Sequence, residues 1–272
     1  GEKDQYAVQS HLQSQDRPRG IETWIPTDFD LNYKFTSEIL DMLPDGVAQI
    51  HYLRPTVSRV YAETYDAPSK TVVDKVNYDL SLKVSPANEI LEQQENKKPT
   101  GKAKWTSSAS YSANNQEDPI SHYLDELIRL SVFFGPFDSS LDYSPKLPLT
   151  PVKLGDTWKR TIGYQPQQLK GKTGQIAVQR IDYTYTYVGP MVEDGKQVVR
   201  INAKLKFNTD LAAYLNQFFD EDTGLRKLPI HLSSSIDFNL DPKTLRTISA
   251  DATSDGGFEV YLSEDPKGAE HE

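Results

Sequence analysis

Apolar and polar positions alternate with period 2 through most of this chain, the pattern of strands that bury one face. Leu31, Tyr33 and Phe35 alternate with Asn32, Lys34 and Thr36. After Pro44-Asp45-Gly46 the pattern resumes at Ala48, Ile50 and Tyr52, which predicts a hairpin with a Gly-containing turn. Tyr78, Leu80, Leu82 and Val84 then run to Ser85-Pro86-Ala87-Asn88, where Pro presets φ and Asn tolerates a positive φ, before Ile90-Leu91 returns. The second half repeats the style. Ile181, Tyr183, Tyr185 and Tyr187 lead through Glu193-Asp194-Gly195 to Val199, Ile201, Ala203, Leu205 and Phe207. Ile230, Leu232, Ile236, Phe238 and Leu240 alternate with His231, Ser233, Ser235, Asp237 and Asn239, one dry face against one polar face. Asp241-Pro242 turns the chain into Leu245 to Ala252, and Gly256-Gly257 reads as a further turn into Phe258, Val260 and Leu262.

Helical spacing appears twice. Asp118 and Pro119 suit a helix start, and Ile120, Tyr123, Leu124, Leu127 and Ile128 form one stripe ended by Gly135-Pro136, predicting a helix over 119–134. Asp210 can cap a second helix over 210–219, with Leu211, Tyr214, Leu215, Phe218 and Phe219 as its stripe. Residues 92–118 are polar and read as an exposed connection, with Trp105 and Tyr111 hinting at one strand. Residues 1–20 carry no period and read as a flexible lead-in, and 266–272 as a flexible tail. The expected fold is mainly β (α+β): a large curled antiparallel sheet with two short helices packed on it, in a single domain over 21–265. Asn32 to Thr36 before Asp45-Gly46 echoes Asp182 to Thr186 before Asp194-Gly195. That echo leaves open a duplicated unit, with halves 21–117 and 145–265 joined by the helix at 119–134.

Composition narrows the partners. A chain of 272 residues is long enough to bury a real core. Thirty Lys and Arg against 39 Asp and Glu give a net charge of −9, which repels phosphate backbones and argues against nucleic acid. No apolar run reaches the roughly 18 residues needed to cross a bilayer as a helix. The chain opens at Gly1-Glu2, as expected of an exported protein whose signal or anchor segment has been removed. It has no Cys, which excludes disulfides and thiolate chemistry.

Three stretches carry a resemblance: Tyr33 to Gly46; Leu82 to Leu91, with its Ser-Pro turn; and Leu147-Pro148-Leu149-Thr150-Pro151-Val152-Lys153-Leu154-Gly155-Asp156-Thr157-Trp158. Together they resemble a group of functionally uncharacterised exported bacterial β-rich proteins over residues 30–165. Asn88 stands where that group has Gly, which keeps the turn chemistry. The resemblance implies export and an antiparallel sheet and carries over no catalytic residue. In physical terms Pro148 and Pro151 hold an extended crossing, Gly155-Asp156 makes a turn, and Trp158 begins a strand by burying a large ring. The alternative is a Trp158 that contacts a ligand at the mouth of a cavity.

Searches for chemistry return little. His11, His51, His122, His231 and His271 are scattered without metal-ligand spacing, and no nucleophile elbow, phosphate loop or dinucleotide fingerprint is present. Asp220, Asp222 and Gly224 form part of a calcium-loop pattern, but its closing Glu is missing, so a solvated acidic loop is expected there. No cofactor, metal or catalytic residue is expected, although a carboxylate pair that meets only in the fold is invisible to sequence. Two functions follow. One is a non-catalytic exported protein that binds an apolar, lipid-like small molecule between sheet and helices, a layout similar to the envelope lipoprotein-carrier fold, with Phe133, Phe134, Trp158, Phe218 and Phe219 as lining candidates. The other is a structural or protein-interaction module of the cell envelope, whose partner is an envelope protein.

Overall fold

The computed structural model describes residues 2–17, 22–23, 25–62, 68–96, 143–164, 179–212, 216, 224–262 and 269–271. These residues are almost entirely antiparallel β-structure, in two compact units. Unit 1 comprises Gly1–Gln13 and Thr27–Asp118, and unit 2 comprises Ser14–Pro26 and Pro119–Glu272.

Unit 1 is built from β1 (Glu2–Arg17), β2 (Ile25–Met42), β3 (Ala48–Tyr61), β4 (Lys70–Val84) and β5 (Ile90–Glu95), ordered β5-β4-β3-β2-β1. Alternation places Leu31, Tyr33 and Phe35 of β2 on one face with Tyr52 and Val57 of β3 and Leu80 and Leu82 of β4, all buried. Rings tie the strands together: Phe35 stacks on Tyr6 of β1 at 4.9 Å and on Tyr52 at 5.2 Å. The same face carries Arg54 and Arg59, both buried, with the Arg54 guanidinium 5.2 Å above the Tyr33 ring. The turns obey their chemistry. Gly46 takes φ +81° in the β2–β3 turn, and Asn88 takes φ +61° in the β4–β5 turn, where Ser85 Oγ accepts from the N–H groups of Ala87 and Glu89.

Unit 2 is built from β6 (Thr157–Tyr164), β7 (Gln179–Glu193), β8 (Lys196–Asp210), β9 (Leu225–Lys227), β10 (Pro229–Leu240), β11 (Thr247–Leu262) and β12 (Ala269–His271). Its order is β12-β11-β10-β8-β7-β6, with β9 paired to β11 and the end of β1, Asp16 and Arg17, paired to β12. The β7–β8 turn has positive φ at both Asp194 and Gly195, the geometry that matches strand twist in a two-residue hairpin. Ile181, Tyr183, Tyr185, Ile201, Ala203, Leu205, Phe207, Leu232, Ile236, Phe238 and Leu240 form one core face. On the opposite face Arg200 donates to Asn239 Oδ1 at 2.8 Å and to the Glu193 carboxylate, while Asn202 donates to Asp237 Oδ1 at 2.6 Å. This network pins β7, β8 and β10 together and accounts for a fully buried Asn239 on a mostly polar face.

Several sequence expectations change. Residues 2–17, expected as part of an aperiodic lead-in, form a 16-residue strand, and β12 lies within the expected tail. Gly256-Gly257 is no turn: both sit inside β11, opposite Leu232 and His231. A side chain at Gly256 would meet His231 O at 2.6 Å and Leu232 at 3.2 Å, so glycine serves close strand packing there. The helix expected over 119–134 lies outside the described residues. Over 210–219 only Asp210, Leu211, Ala212 and Asn216 are described; Ala212 and Asn216 are α-helical, but no helix element is defined among the described residues. Asp210 closes β8, and its Oδ1 accepts from both Ala212 N and Leu228 N at 2.9 Å, so the carboxylate expected as a cap also fastens the start of β10.

Candidate functional site

The site grows from the segment that leads into β6. Ser144 Oγ lies 2.9 Å from Thr247 Oγ1 of β11, Pro145 and Lys146 are buried, and Leu147 packs on the unit 2 core. Pro148 and Pro151 withhold two N–H groups, and Leu149, Thr150 and Val152 make no hydrogen bond within the described residues. The backbone there runs past the sheet without joining it. At Lys153 it turns: Asp156 N donates to Lys153 O at 3.0 Å, Asp156 Oδ2 accepts from Lys153 N at 2.8 Å, and Gly155 supplies φ +84°. The turn is laid against β7, with Gly155 N donating to Tyr187 O at 2.9 Å and Tyr187 N donating to Asp156 O at 3.0 Å. Gly189, at φ +113° beside a β7 bulge, leaves room for Leu154, whose methyl group would lie 2.4 Å from any Cβ there.

Trp158 follows at once. Its ring is half-buried, stacks on Tyr185 at 5.6 Å and 13°, and donates Nε1–H to Lys146 O at 2.7 Å. Arg160, two residues on, donates to Leu147 O at 3.1 Å and to Lys159 O at 3.0 Å. Both side chains therefore bind the incoming segment to the strand it leads into. Between segment and strand lies a groove of about 570 Å³, lined by Pro148, Leu149, Thr150, Val152, Asp156, Trp158 and Arg160 among others. The groove is open to solvent, and Leu149 and Leu154 are 79% and 70% exposed. No protein-family model, curated protein or solved structure matches the chain.

Trp158 thus satisfies both readings: it begins a strand by burying part of its ring, and it lines a recess. Phe133, Phe134, Phe218 and Phe219 lie outside the described residues, as do Asp220 and Asp222. The residues that sequence reasoning missed are Lys146, whose carbonyl seats the indole, Arg160 and Leu149. Their signal was the Pro-x-x-Pro spacing itself, which keeps a stretch extended and out of the sheet.

Among the described residues two His–Asp pairs occur in unit 1: an exposed one, with His11 Nδ1 2.6 Å from Asp30 Oδ1, and a more buried one, where His51 Nε2 lies 2.9 Å from Asp79 Oδ1 and Asn96 donates to the same oxygen at 2.8 Å. Ser81 stands opposite His51 in the strand register, but its hydroxyl donates to Asn96 Oδ1 at 2.6 Å. The hydroxyl's proton is directed to an amide oxygen and not to the imidazole, so the cluster is wired as a polar brace rather than as an activated nucleophile. Among the described residues no three His, Asp or Glu side chains gather as a metal site, and no helix is long and apolar enough to cross a membrane.

Proposed function

We propose that the chain is a non-catalytic interaction module of an exported, envelope-facing protein, and that unit 2 meets its partner at the groove of residues 148–160. The observation that carries this reading is a strongly exposed leucine, Leu149, lining the same groove as an indole held in place from two sides. A leucine on an ordinary surface gains by folding down onto its neighbours; one left out on the wall of a preformed recess marks a surface that a partner covers. A half-buried Trp whose N–H is already satisfied offers only its apolar ring, which suits an anchor in an interface.

The competing outcome is an apolar, lipid-like ligand, whose expected lining residues Phe133, Phe134, Phe218 and Phe219 lie outside the described residues. A photoreactive side chain placed at Leu149 in the intact chain, in cells that express it, separates the two. The interaction reading expects a protein adduct from Leu149, none from the exposed turn residue Leu245, and loss of the adduct in Val152→Asp, which changes the groove wall. A lipid-mass adduct moves the function to a carrier, and no adduct from Leu149 refutes the groove.

A further inference from the structure

We infer that the groove's occupant is an extended polypeptide segment that pairs with one backbone edge of Leu149–Val152 and sets an apolar side chain against Trp158; this rests on the interaction reading above. Three observations bear on the class of ligand. First, the N–H groups of Leu149, Thr150 and Val152 and the neighbouring carbonyls have no partner within the described residues, in a segment that Pro148 and Pro151 keep extended. Four extended residues span roughly 13 Å and present alternate N–H and C=O groups to each edge, so a second backbone can pair in register along one edge, as an acyl chain cannot. Second, the Trp158 N–H is spent on Lys146 O, so the indole contributes area and no hydrogen bond, and it selects an apolar side chain. Third, Asp156 uses only one carboxylate oxygen, on Lys153 N; the other is exposed on a chain of net charge −9. The Arg160 guanidinium on the same wall is turned to two carbonyls of its own chain. Lys153 and Lys159 are exposed close to Asp156 in the sequence, so the rim carries both signs and selects through shape and backbone pairing. The groove volume of about 570 Å³ is within the range of roughly 300–1,000 Å³ that defined ligand sites occupy.

The test is a selection of random displayed heptapeptides on the intact chain, followed by amide hydrogen exchange with each selected peptide. The expected peptides carry an apolar residue and slow exchange by tenfold or more along one edge of the segment, at Thr150 and Val152 or at Leu149. Selected peptides that leave those three amides unprotected overturn the inference. Maltotriose and dodecanoate, titrated separately and followed at the same amides, keep the two readings apart. Saturable protection by either, with none by any peptide, removes the polypeptide inference and leaves the groove as a binding site. Silence from all three removes both.

Discussion

Truncating Trp158 to Ala tests whether the segment 143–156 is held to unit 2 through that ring. The indole is half-buried, so about half of the roughly 3 kcal/mol that full burial of a large side chain contributes is at stake, or about 1.5 kcal/mol. Loss of the stack on Tyr185 adds about 0.5–1.5 kcal/mol, and loss of the 2.7 Å hydrogen bond to Lys146 O adds about 1 kcal/mol. The expected total is about 3–4 kcal/mol, at the lower end of what truncating a fully buried large aromatic costs. Trp158→Phe separates the contributions. It keeps an aromatic stack, gives up the N–H, and should cost only about 1–1.5 kcal/mol. Because the chain has two units, a single melting curve mixes their transitions. Urea-dependent amide exchange at Tyr183 and Tyr185 of β7 reads unit 2 directly, and Tyr52 serves as the control in unit 1. An Ala variant within about 1 kcal/mol of the parent, or a Phe variant as damaged as Ala, refutes the argument.

Arg200→Ala removes the donor to Asn239 Oδ1 and Glu193, leaving a buried amide and a half-buried carboxylate short of a partner; it should cost about 2–3 kcal/mol in urea unfolding of unit 2. Leu245 holds φ +57° with its side chain 41% exposed, so Leu245→Gly relieves about 1–2 kcal/mol of backbone strain for a smaller entropic loss. A gain of about 0.5–1 kcal/mol, seen as a higher urea midpoint, is expected. The backbone N–H groups of Thr244 and Lys243, donating to Asp241, hold its carboxyl below its ordinary value of 3.8. A depressed folded value means stability that is present above that ordinary value and is lost as pH falls through the folded one. Urea midpoints from pH 7 to pH 2 should therefore show Asp241→Asn less stable at neutral pH, with the gap closing in acid; a gap that does not change with pH removes the charge from the explanation.

Alternation made most of the framework readable before any coordinates, because a strand with one wet face must repeat every second residue. The hairpin at Asp45-Gly46, the turn at Ser85–Asn88 and the hairpin at Asp194-Gly195 all fall where φ-permissive residues interrupt that repeat. What escaped follows the same logic. In β1 the half-buried positions are Asp4, Tyr6, Val8, Ser10 and Leu12, a true period of 2 written partly in polar residues, so apolarity alone saw no strand. Its order comes from pairing in the sheet, and the Tyr6–Phe35 stack is its main aromatic signal. Arg54 continues the inward series Ile50, Tyr52, and only the assumption that arginine faces water hid it. Gly256-Gly257 misled because a glycine pair has two uses, and turn formation is merely the commoner one.

The groove was legible in a different way. Period 2 fails between Leu147 and Asp156, and two prolines stand three residues apart inside that failure. Such a stretch can be a disordered connection or an extended segment docked on a core. The residue that separates the two cases is Trp158: a ring that needs a seat and an N–H that needs an acceptor require the preceding chain to come close. Once Lys146 O takes that N–H, the next residues are fixed in position but excluded from the β6–β7 ladder, since Gly155 and Asp156 already occupy the free backbone groups of Tyr187. A segment both held near a sheet and barred from it leaves its own hydrogen-bonding groups open. In this chain those groups lie beside Leu149 on the groove wall, so the open backbone and the uncovered apolar surface occur together, and one extended partner can cover the leucine while pairing along one edge of the segment.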